Sequence, residues 1–270
     1  MPFAPPALRR LALAVAVLYD VDLLPQDDGV ILTGDGDTHA DIHVSWTTLG
    51  AVVDQADRSC AEAPSERVRL EALAAWLIAR RALAGHTRQL VALGIPADHD
   101  GHPGPAWVRE VIPGDALCLG FGYGAEGAGR LPVPAGVLEH MAIDIPDAWQ
   151  HVRAELERLG TLAAERERRQ TRRAIKPFGS ADVVTLLGSA SLRRELVASE
   201  GDGMIALIVP LRTRGWRATY VSDPAYGPAL AAAMPEVERG FDRPLLVTAE
   251  EISEVRAGGD PMWLLRAEED

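Results

Sequence analysis

The sequence predicts an α/β or α+β protein with a mixed sheet, flanking helices, a long polar connecting helix and a smaller C-terminal α+β domain. Three observations support this fold class. Short apolar runs with strand-like alternation lie between longer segments in which apolar residues recur at helical spacing. Clusters of glycine, proline and aspartate separate these runs. Hydrophobic residues make up 47% of the 270 positions and charged residues 24%, a composition typical of a chain that folds around a core.

The first part of the chain alternates helices with a pair of strands. Pro25 and the polar residues after it end the first helix, and Ser65 followed by Glu66 provides an N-terminal cap for a later one. We expect the first helix to be buried rather than a signal peptide, because its apolar run is short and aspartates follow it directly. The predicted elements are a helix over 7–24, strands over 30–32 and 35–46, a helix from Thr47 or Thr48 to about Ala56, and a helix from Ser65 to about Gly94. Helical spacing of the apolar residues in this last helix places Trp76 in the core.

The middle of the chain contains a predicted loop over 97–105, two strands joined by a turn at Pro113, Gly114 and Asp115, and an extended segment over 131–138. Several glycines between positions 120 and 129 follow the second of these strands. A phosphate-binding loop needs a helix N-terminus after it, and the sequence continues instead with a proline-rich segment. A loop or hairpin tip and a ligand clamp therefore remain as alternatives for these glycines.

A polar helix is predicted over 147–176, and charge sets it apart from its surroundings. Residues 1–146 contain 10 bases and 19 acids, residues 147–176 contain 8 bases and 5 acids, and residues 177–270 contain 9 bases and 15 acids. A basic segment between two acidic ones suits a connector between domains. We therefore predict an N-terminal domain over 1–146, a connecting helix over 147–176 and a C-terminal domain over 177–270.

The last third of the chain has a smaller α+β pattern. Apolar spacing predicts a helix over 181–199, a hairpin over 205–222 that turns near Thr213 to Gly215, and a helix over 224–234. The segment over 244–252 predicts a strand that enters a capped helix.

Overall charge and cysteine content limit the classes of partner and compartment. The net charge is −12, which argues against nucleic acid and anionic membranes as partners. The two cysteines, Cys60 and Cys118, have neither a CxxC nor a zinc-site spacing, and we expect Cys118 to be a buried small hydrophobe. We accordingly expect a cytoplasmic bacterial protein without a membrane-spanning segment.

The most suggestive local feature is the stretch DGDTHADIH, in which every second residue could bind a metal. If the stretch is a strand, these side chains lie on one face about 7 Å apart at positions i and i+2, so one ion can use at most two of them. Further ligands would have to come from the histidines of the 97–105 loop. The candidate metal ligands are Asp35, Asp37, His39, Asp41, His43, His99 and His102. The alternative is that these residues form only the solvated face of a strand.

A second candidate surface is the basic end of the predicted connecting helix. Its arginines could dock an acidic protein partner, whereas the absence of neighbouring aromatic residues argues against base stacking. The candidate partner-binding residues are Arg166, Arg168, Arg169, Arg172 and Arg173. The alternative is a solvated helix end, where cations suit the helix dipole.

These observations favour a non-catalytic accessory or assembly protein that docks a protein partner, or self-associates, through the long connecting helix. No nucleophile motif or closed catalytic constellation is evident from the residues. The alternative function is a metal-dependent hydrolase that uses the Asp/His stretch, and a divalent metal is the cofactor that this alternative implies.

Overall fold

The structure is a computed structural model that describes residues 5–34, 40–58, 65–84, 90–97, 108–125, 129–169, 174–198, 202–218 and 226–255. Helices and antiparallel sheets are mixed along the chain, which confirms the predicted fold class in its α+β form. The chain divides into two compact units, which are described separately below. The first unit comprises Met1–Leu90, Tyr123–Ala125 and Val133–Ala148, and the second comprises Val91–Gly122, Glu126–Pro132 and Trp149–Asp270. The three-part division predicted from the sequence stays a prediction.

The first unit packs four helices with a three-stranded antiparallel sheet of order β1-β2-β3. Its helices are α1 (Pro5–Tyr19), α2 (Trp46–Arg58), α3 (Glu66–Ala82) and α4 (Val137–His140), and its strands are β1 (Leu23–Pro25), β2 (Gly29–Leu32) and β3 (Ile42–Ser45). The helices α1 and α2 both pack against α3. The predicted cap is confirmed, because the Ser65 hydroxyl accepts a hydrogen bond from the Val68 amide.

Three predicted boundaries in this part of the chain are wrong. The helix predicted from Ser65 to about Gly94 ends at Ala82, and Val91–Pro96 is a strand instead, because it pairs antiparallel with residues 117–122. The first helix was predicted to reach residue 24, but it ends at Tyr19 because Asp20 adopts a left-handed conformation with φ of 54°. Leu23 and Leu24 then pair with β2 as part of β1. The helix α2 begins at Trp46 rather than after Thr47, because the Ser45 hydroxyl accepts a hydrogen bond from the Thr48 amide at 3.1 Å.

The second unit contains two antiparallel sheets. The first has the order β4-β6-β5 with β7 also paired to β6, and the second has the order β12-β11-β9-β10-β8. The strands are β4 (Val91–Pro96), β5 (Val108–Val111), β6 (Leu117–Ala125), β7 (Gly129–Pro132), β8 (Ala174–Ile175), β9 (Ile205–Leu211), β10 (Arg214–Arg217), β11 (Leu245–Val247) and β12 (Ile252–Glu254). The helices are α5 (Ile145–Arg169), α6 (Val183–Leu187), α7 (Ala190–Ala198) and α8 (Tyr226–Ala233), followed by a single 3-10 turn at Glu236–Glu238.

The predicted hairpins of this unit are confirmed. The Asp115 amide donates to the Ile112 carbonyl at 3.1 Å, so Pro113 and Gly114 are the central residues of a turn, and Gly114 has the positive φ, 93°, that a type II turn requires after its proline. The strands β9 and β10 pair antiparallel around Arg212 and Thr213. The sequence could predict both hairpins because turn residues act locally.

Several predictions for this unit are wrong where distant pairing decides the structure. The helix predicted over 147–176 ends at Arg169, and Ala174 and Ile175 instead pair with β10. In the described residues after β11, which end at 255, no capped helix forms. The Thr248 hydroxyl accepts hydrogen bonds from the amides of Glu250 and Glu251, and the resulting turn leads into β12, which pairs back onto β11. The helix predicted over 181–199 is divided into α6 and α7 at Gly188 and Ser189.

Candidate functional site

The Asp/His stretch is described only in part. Asp41 accepts a hydrogen bond from the Gly34 amide at 2.9 Å, and His43 lies 3.2 Å from the Asp28 carboxylate on the solvent side of β3. The neighbouring Val44 is fully buried, so the predicted alternation holds where β3 is described. The other candidate ligands, Asp35, Asp37, His39, His99 and His102, lie outside the described residues.

Metal binding at this stretch therefore stays a prediction. Within the described ranges, no group of three or more His, Cys, Asp or Glu side chains is placed to hold a metal ion. This finding does not extend to the five candidate ligands outside those ranges.

The arginines at the end of α5 are engaged in contacts within the second unit. Arg166 donates hydrogen bonds to the carbonyls of Lys176 and Pro177 at 2.7 and 2.8 Å, and its guanidinium lies 5.3 Å from the centre of the Phe178 ring. These contacts hold the chain that follows α5 against the helix.

The next two arginines pair with acidic side chains and remain largely exposed. Arg168 bonds to Glu195 of α7 with an Nε–Oε2 distance of 3.1 Å, and Arg169 lies 3.8 Å from Glu165. Arg172 and Arg173 lie outside the described residues. Partner docking by these arginines stays a prediction. Arg166 also has a structural role, because it bonds to the chain that follows α5.

Two further predictions concern β6. Cys118 is fully buried, as expected from its apolar neighbours. Gly120, Gly122 and Gly124 lie within the strand rather than in a loop. A Cβ at Gly122 would lie 2.8 Å from the Leu93 Cβ, so glycine allows β4 and β6 to approach closely at that point.

The outward face of α1 is the most unusual surface of the first unit. Its inward face buries Leu8, Leu11, Ala12 and Val15, which recur at helical spacing. On the opposite side Leu13 is 49% exposed and Val17 is 82% exposed, one turn apart. A solvated helix face normally has polar residues, so an apolar face is a candidate for an interaction surface.

Further exposed apolar side chains lie around the end of α1. Leu18 is 67% exposed and Tyr19 is 38% exposed in its last turn, and Leu24 on β1 is 54% exposed. We call the outward pair Leu13 and Val17 the α1 patch. Opposite charges flank it, since Arg10 is exposed in the first half of the helix, whereas Asp20 and Asp22 are exposed just beyond its end.

The prediction that the first helix is buried is therefore correct for one face only. A single buried stripe requires three or four apolar residues in two turns, but the run LALAVAVLY contains no polar residue except its final tyrosine. This excess of apolar residues was the signal in the sequence, and it does not distinguish burial within the chain from burial against another molecule.

None of the helices in the described part of the chain is both long and apolar enough to span a bilayer. Comparison with known proteins identifies no relative: no family model, no curated protein and no solved structure matches this chain.

Proposed function

We propose that this chain is a non-catalytic assembly protein that self-associates through the α1 patch. The single observation that carries the proposal is the apolar outward face of α1, on which Val17 is 82% exposed. Burial of a valine or leucine side chain contributes about 1.5–3 kcal/mol, so an interface that covers several of them is favourable. The proposal keeps the function expected from the sequence and moves the docking surface from α5 to α1.

The occupant of the patch is a second copy of this chain, because the arrangement of its apolar and charged residues is complementary to itself. Position 15 is the midpoint in the sequence between Leu13 and Val17, and it is also the midpoint between Arg10 and Asp20. A two-fold axis at that level brings Leu13 of one copy against Val17 of the other, with each Arg10 facing an Asp20 at the ends of the contact. Such an interface, with the same surface on both subunits, is the commonest arrangement of homodimers.

The contact is small, which sets the expected affinity. A helix of 15 residues is about 22 Å long, and an interface built on one helix from each subunit lies below about 1,200 Å². We therefore expect a dissociation constant of roughly 1–100 µM, within the range that sedimentation equilibrium measures directly.

Sedimentation equilibrium of the full chain, with Val17→Glu as the test variant, decides the proposal. Glutamate has a higher helix propensity than valine, so the exposed substitution should leave the fold intact, which circular dichroism can verify. In the dimer the new carboxylate faces Leu13 of the second copy, and the loss of apolar contact together with desolvation should weaken association at least about tenfold.

Val237→Glu is the matched control, because Val237 is 48% exposed in the second unit and receives the same substitution. It should associate like the wild type. Arg10→Glu should also weaken the dimer, since it places like charges opposite each other, and the weakening should diminish in high salt. A chain that is monomeric throughout the concentration range, or a dimer that both valine variants weaken equally, would refute the proposal.

A further inference from the structure

A cluster of hydrogen-bond donors lies in the first unit, where α3 packs against α4. Trp76 and Arg80 are four residues apart and so share one face of α3. His140, the last residue of α4, contacts both of them. Its ring centre lies 5.4 Å from that of Trp76 in an edge-on arrangement, and its Nδ1 accepts a hydrogen bond of 3.0 Å from the Arg80 Nε.

Two donors in this cluster are buried without an acceptor. Trp76 is only 1% exposed, and its indole Nε1 has no hydrogen-bond partner among the described residues. The same holds for the NH1 nitrogen of Arg80. A buried donor that lacks an acceptor typically costs about 1–3 kcal/mol, and more when it carries charge. Two such donors on one helix face are therefore a costly arrangement unless an acceptor reaches them.

His140 adds a third donor to the cluster. Because its Nδ1 accepts from Arg80, the neutral ring carries its proton on Nε2. Burial, the charge of Arg80 on α3 and the neighbouring His43 on β3 all lower the pKa of His140, which favours this neutral form at pH 7. His43 in turn pairs with Asp28. Burial likewise lowers the pKa of Arg80, and no carboxylate in the described ranges forms an ion pair with its guanidinium.

Gly136 lies beside the indole nitrogen. It precedes α4 with φ of 83°, and a Cβ at this position would make an ordinary contact of 3.5 Å with the Trp76 Nε1. The Trp76 Nε1 and the Arg80 NH1 are themselves covered, whereas the Arg80 and His140 residues are each partly exposed, so a small solute has to enter from their side to reach the two nitrogens.

We infer that Trp76, Arg80 and His140 form a binding site for a small oxyanion, the charged oxygen group that phosphate, sulfate and carboxylate share. The cluster offers an indole N–H, a guanidinium N–H and an imidazole N–H, and its one acceptor, the His140 Nδ1, is already used by Arg80. A ligand that satisfies these donors supplies oxygen acceptors and a negative charge. Charge-assisted hydrogen bonds to such a group are roughly twice as strong as neutral ones.

The test is a titration followed through the Trp76 indole N–H signal in ¹H–¹⁵N correlation spectra of the full chain. The chain contains six tryptophans, and Trp76→Phe identifies the signal by its loss. Sodium phosphate, sodium sulfate and sodium acetate are added in separate arms, with sodium chloride holding ionic strength constant. At least one oxyanion should move the Trp76 signal to a saturating position, with half-saturation at or below about 1 mM. Comparison of the arms separates tetrahedral from planar ligands.

Arg80→Met keeps most of the apolar stem and removes the buried guanidinium. The Trp76 signal should then no longer respond, whereas Arg67→Met, which removes an 85% exposed arginine from the same helix, should leave the response unchanged. The Cε1 proton of His140 gives a second measurement. A bound oxyanion offsets the charge of Arg80 and should raise the pKa of His140, and in Arg80→Met that pKa should start higher and no longer respond to the anion.

A Trp76 signal that none of the three oxyanions moves would overturn the inference, as would a shift that persists in Arg80→Met. Neither result bears on self-association, which is measured with different variants.

Discussion

The close approach of α5 to α7 at Gly160 allows a stability prediction to be worked from atomic distances. A Cβ at Gly160 would lie 1.9 Å from the Ser189 Oγ and 2.3 Å from the Ser189 Cβ. The hydroxyl could rotate away, but the Cβ cannot, so Gly160→Ala must displace α7 or the backbone before it. Overpacking of this kind typically costs about 1–3 kcal/mol.

The displacement also strains a network of hydrogen bonds at the start of α7. The Glu157 carboxylate accepts a bond of 2.8 Å from the Ser189 hydroxyl and one of 3.1 Å from the Ala190 amide. Hydrogen bonds to charged groups contribute about 1.5–3 kcal/mol, whereas alanine gains up to about 1 kcal/mol over glycine in a helix. The expected net loss is about 3 kcal/mol, or roughly 6–12 °C in the melting temperature of the second unit.

Thermal and urea denaturation of Gly160→Ala test this value. Gly50→Ala is the matched control, because Gly50 is also helical but its Cβ would lie at an ordinary 3.6 Å from the Leu8 Cδ1, so this variant should gain up to about 1 kcal/mol. The double variant Gly160→Ala/Ser189→Gly removes the clashing atoms and should lose less than the sum of its single variants, by at least about 1 kcal/mol. Stability of Gly160→Ala within about 0.5 kcal/mol of wild type, or strict additivity, would refute the reasoning.

Three further predictions concern the second unit and the Asp/His stretch. In urea titrations, Thr185→Val should destabilise the second unit by about 1–3 kcal/mol, because the Gly94 amide loses the buried hydroxyl that accepts its hydrogen bond at 2.8 Å. The control Thr185→Ser should retain this bond. Equal losses of stability in both variants would contradict this cause. Burial alone would raise the pKa of Glu157, but its hydrogen bonds from Ser189 and Ala190 and the charge of Arg153 outweigh burial and lower the pKa. The charged Glu157 therefore stabilises the fold fully above the pKa that this group has in the unfolded chain, and the stabilisation is lost as the pH falls through its pKa in the folded protein. The difference in free energy of unfolding between wild type and Glu157→Gln should shrink below about pH 4.5. A difference that stays constant down to pH 3 would argue against this cause. If the Asp/His stretch binds a metal, added Mn²⁺, Zn²⁺ or Mg²⁺ should raise the melting temperature of wild type but not of Asp37→Ala/His39→Ala, and a wild type that carries no metal and ignores all three ions would contradict that prediction.

Elements with local causes could be predicted from the sequence. Ser65 caps α3 through its own hydroxyl, and Gly114 provides the positive φ that the turn after Pro113 requires. The ends of elements that depend on distant partners could not be predicted. Ala174 and Ile175 continue a polar helical pattern, yet they form a strand because β10 pairs with them. The first helix stops at Tyr19 because the residues after it join β2, which the helical spacing of residues 7–24 does not reveal.

The candidate sites were harder to predict than the fold for a related reason. Periodicity identifies Trp76 as a core residue, and its 1% exposure confirms this, but the sequence does not show that its N–H lacks an acceptor. The neighbours of the indole ring include His140 and Gly136, which lie about sixty residues further along the chain. In the same way, an all-apolar helix predicts burial without indicating whether this chain or a second copy provides the covering surface.

One proposed site lies on α1, which packs against α3, and the other involves α3 itself, and this arrangement leads to a final prediction. The helix α1 packs on α3 and buries an inward face that includes Leu8 and Val15, whereas the α1 patch lies on its outward face. The oxyanion cluster involves a face of α3 that contacts α4. Coupling between two sites requires that each ligand favour one of two alternative arrangements, and we expect the buried inward face of α1 to keep a single arrangement.

Val17→Glu should therefore bind the oxyanion with the same affinity as wild type although it no longer dimerises, and saturation with the oxyanion should leave the dimerisation constant within about twofold. The Trp76 titration at protein concentrations below and above the dimerisation constant measures the first quantity, and sedimentation equilibrium with and without the oxyanion measures the second. Linkage is reciprocal, so dimerisation must change the oxyanion affinity by the same factor by which the oxyanion changes the dimerisation constant. Unequal factors would show that the two measurements do not report the same pair of sites. Equal changes in both would instead mean that α1 moves relative to α3 when the patch is covered.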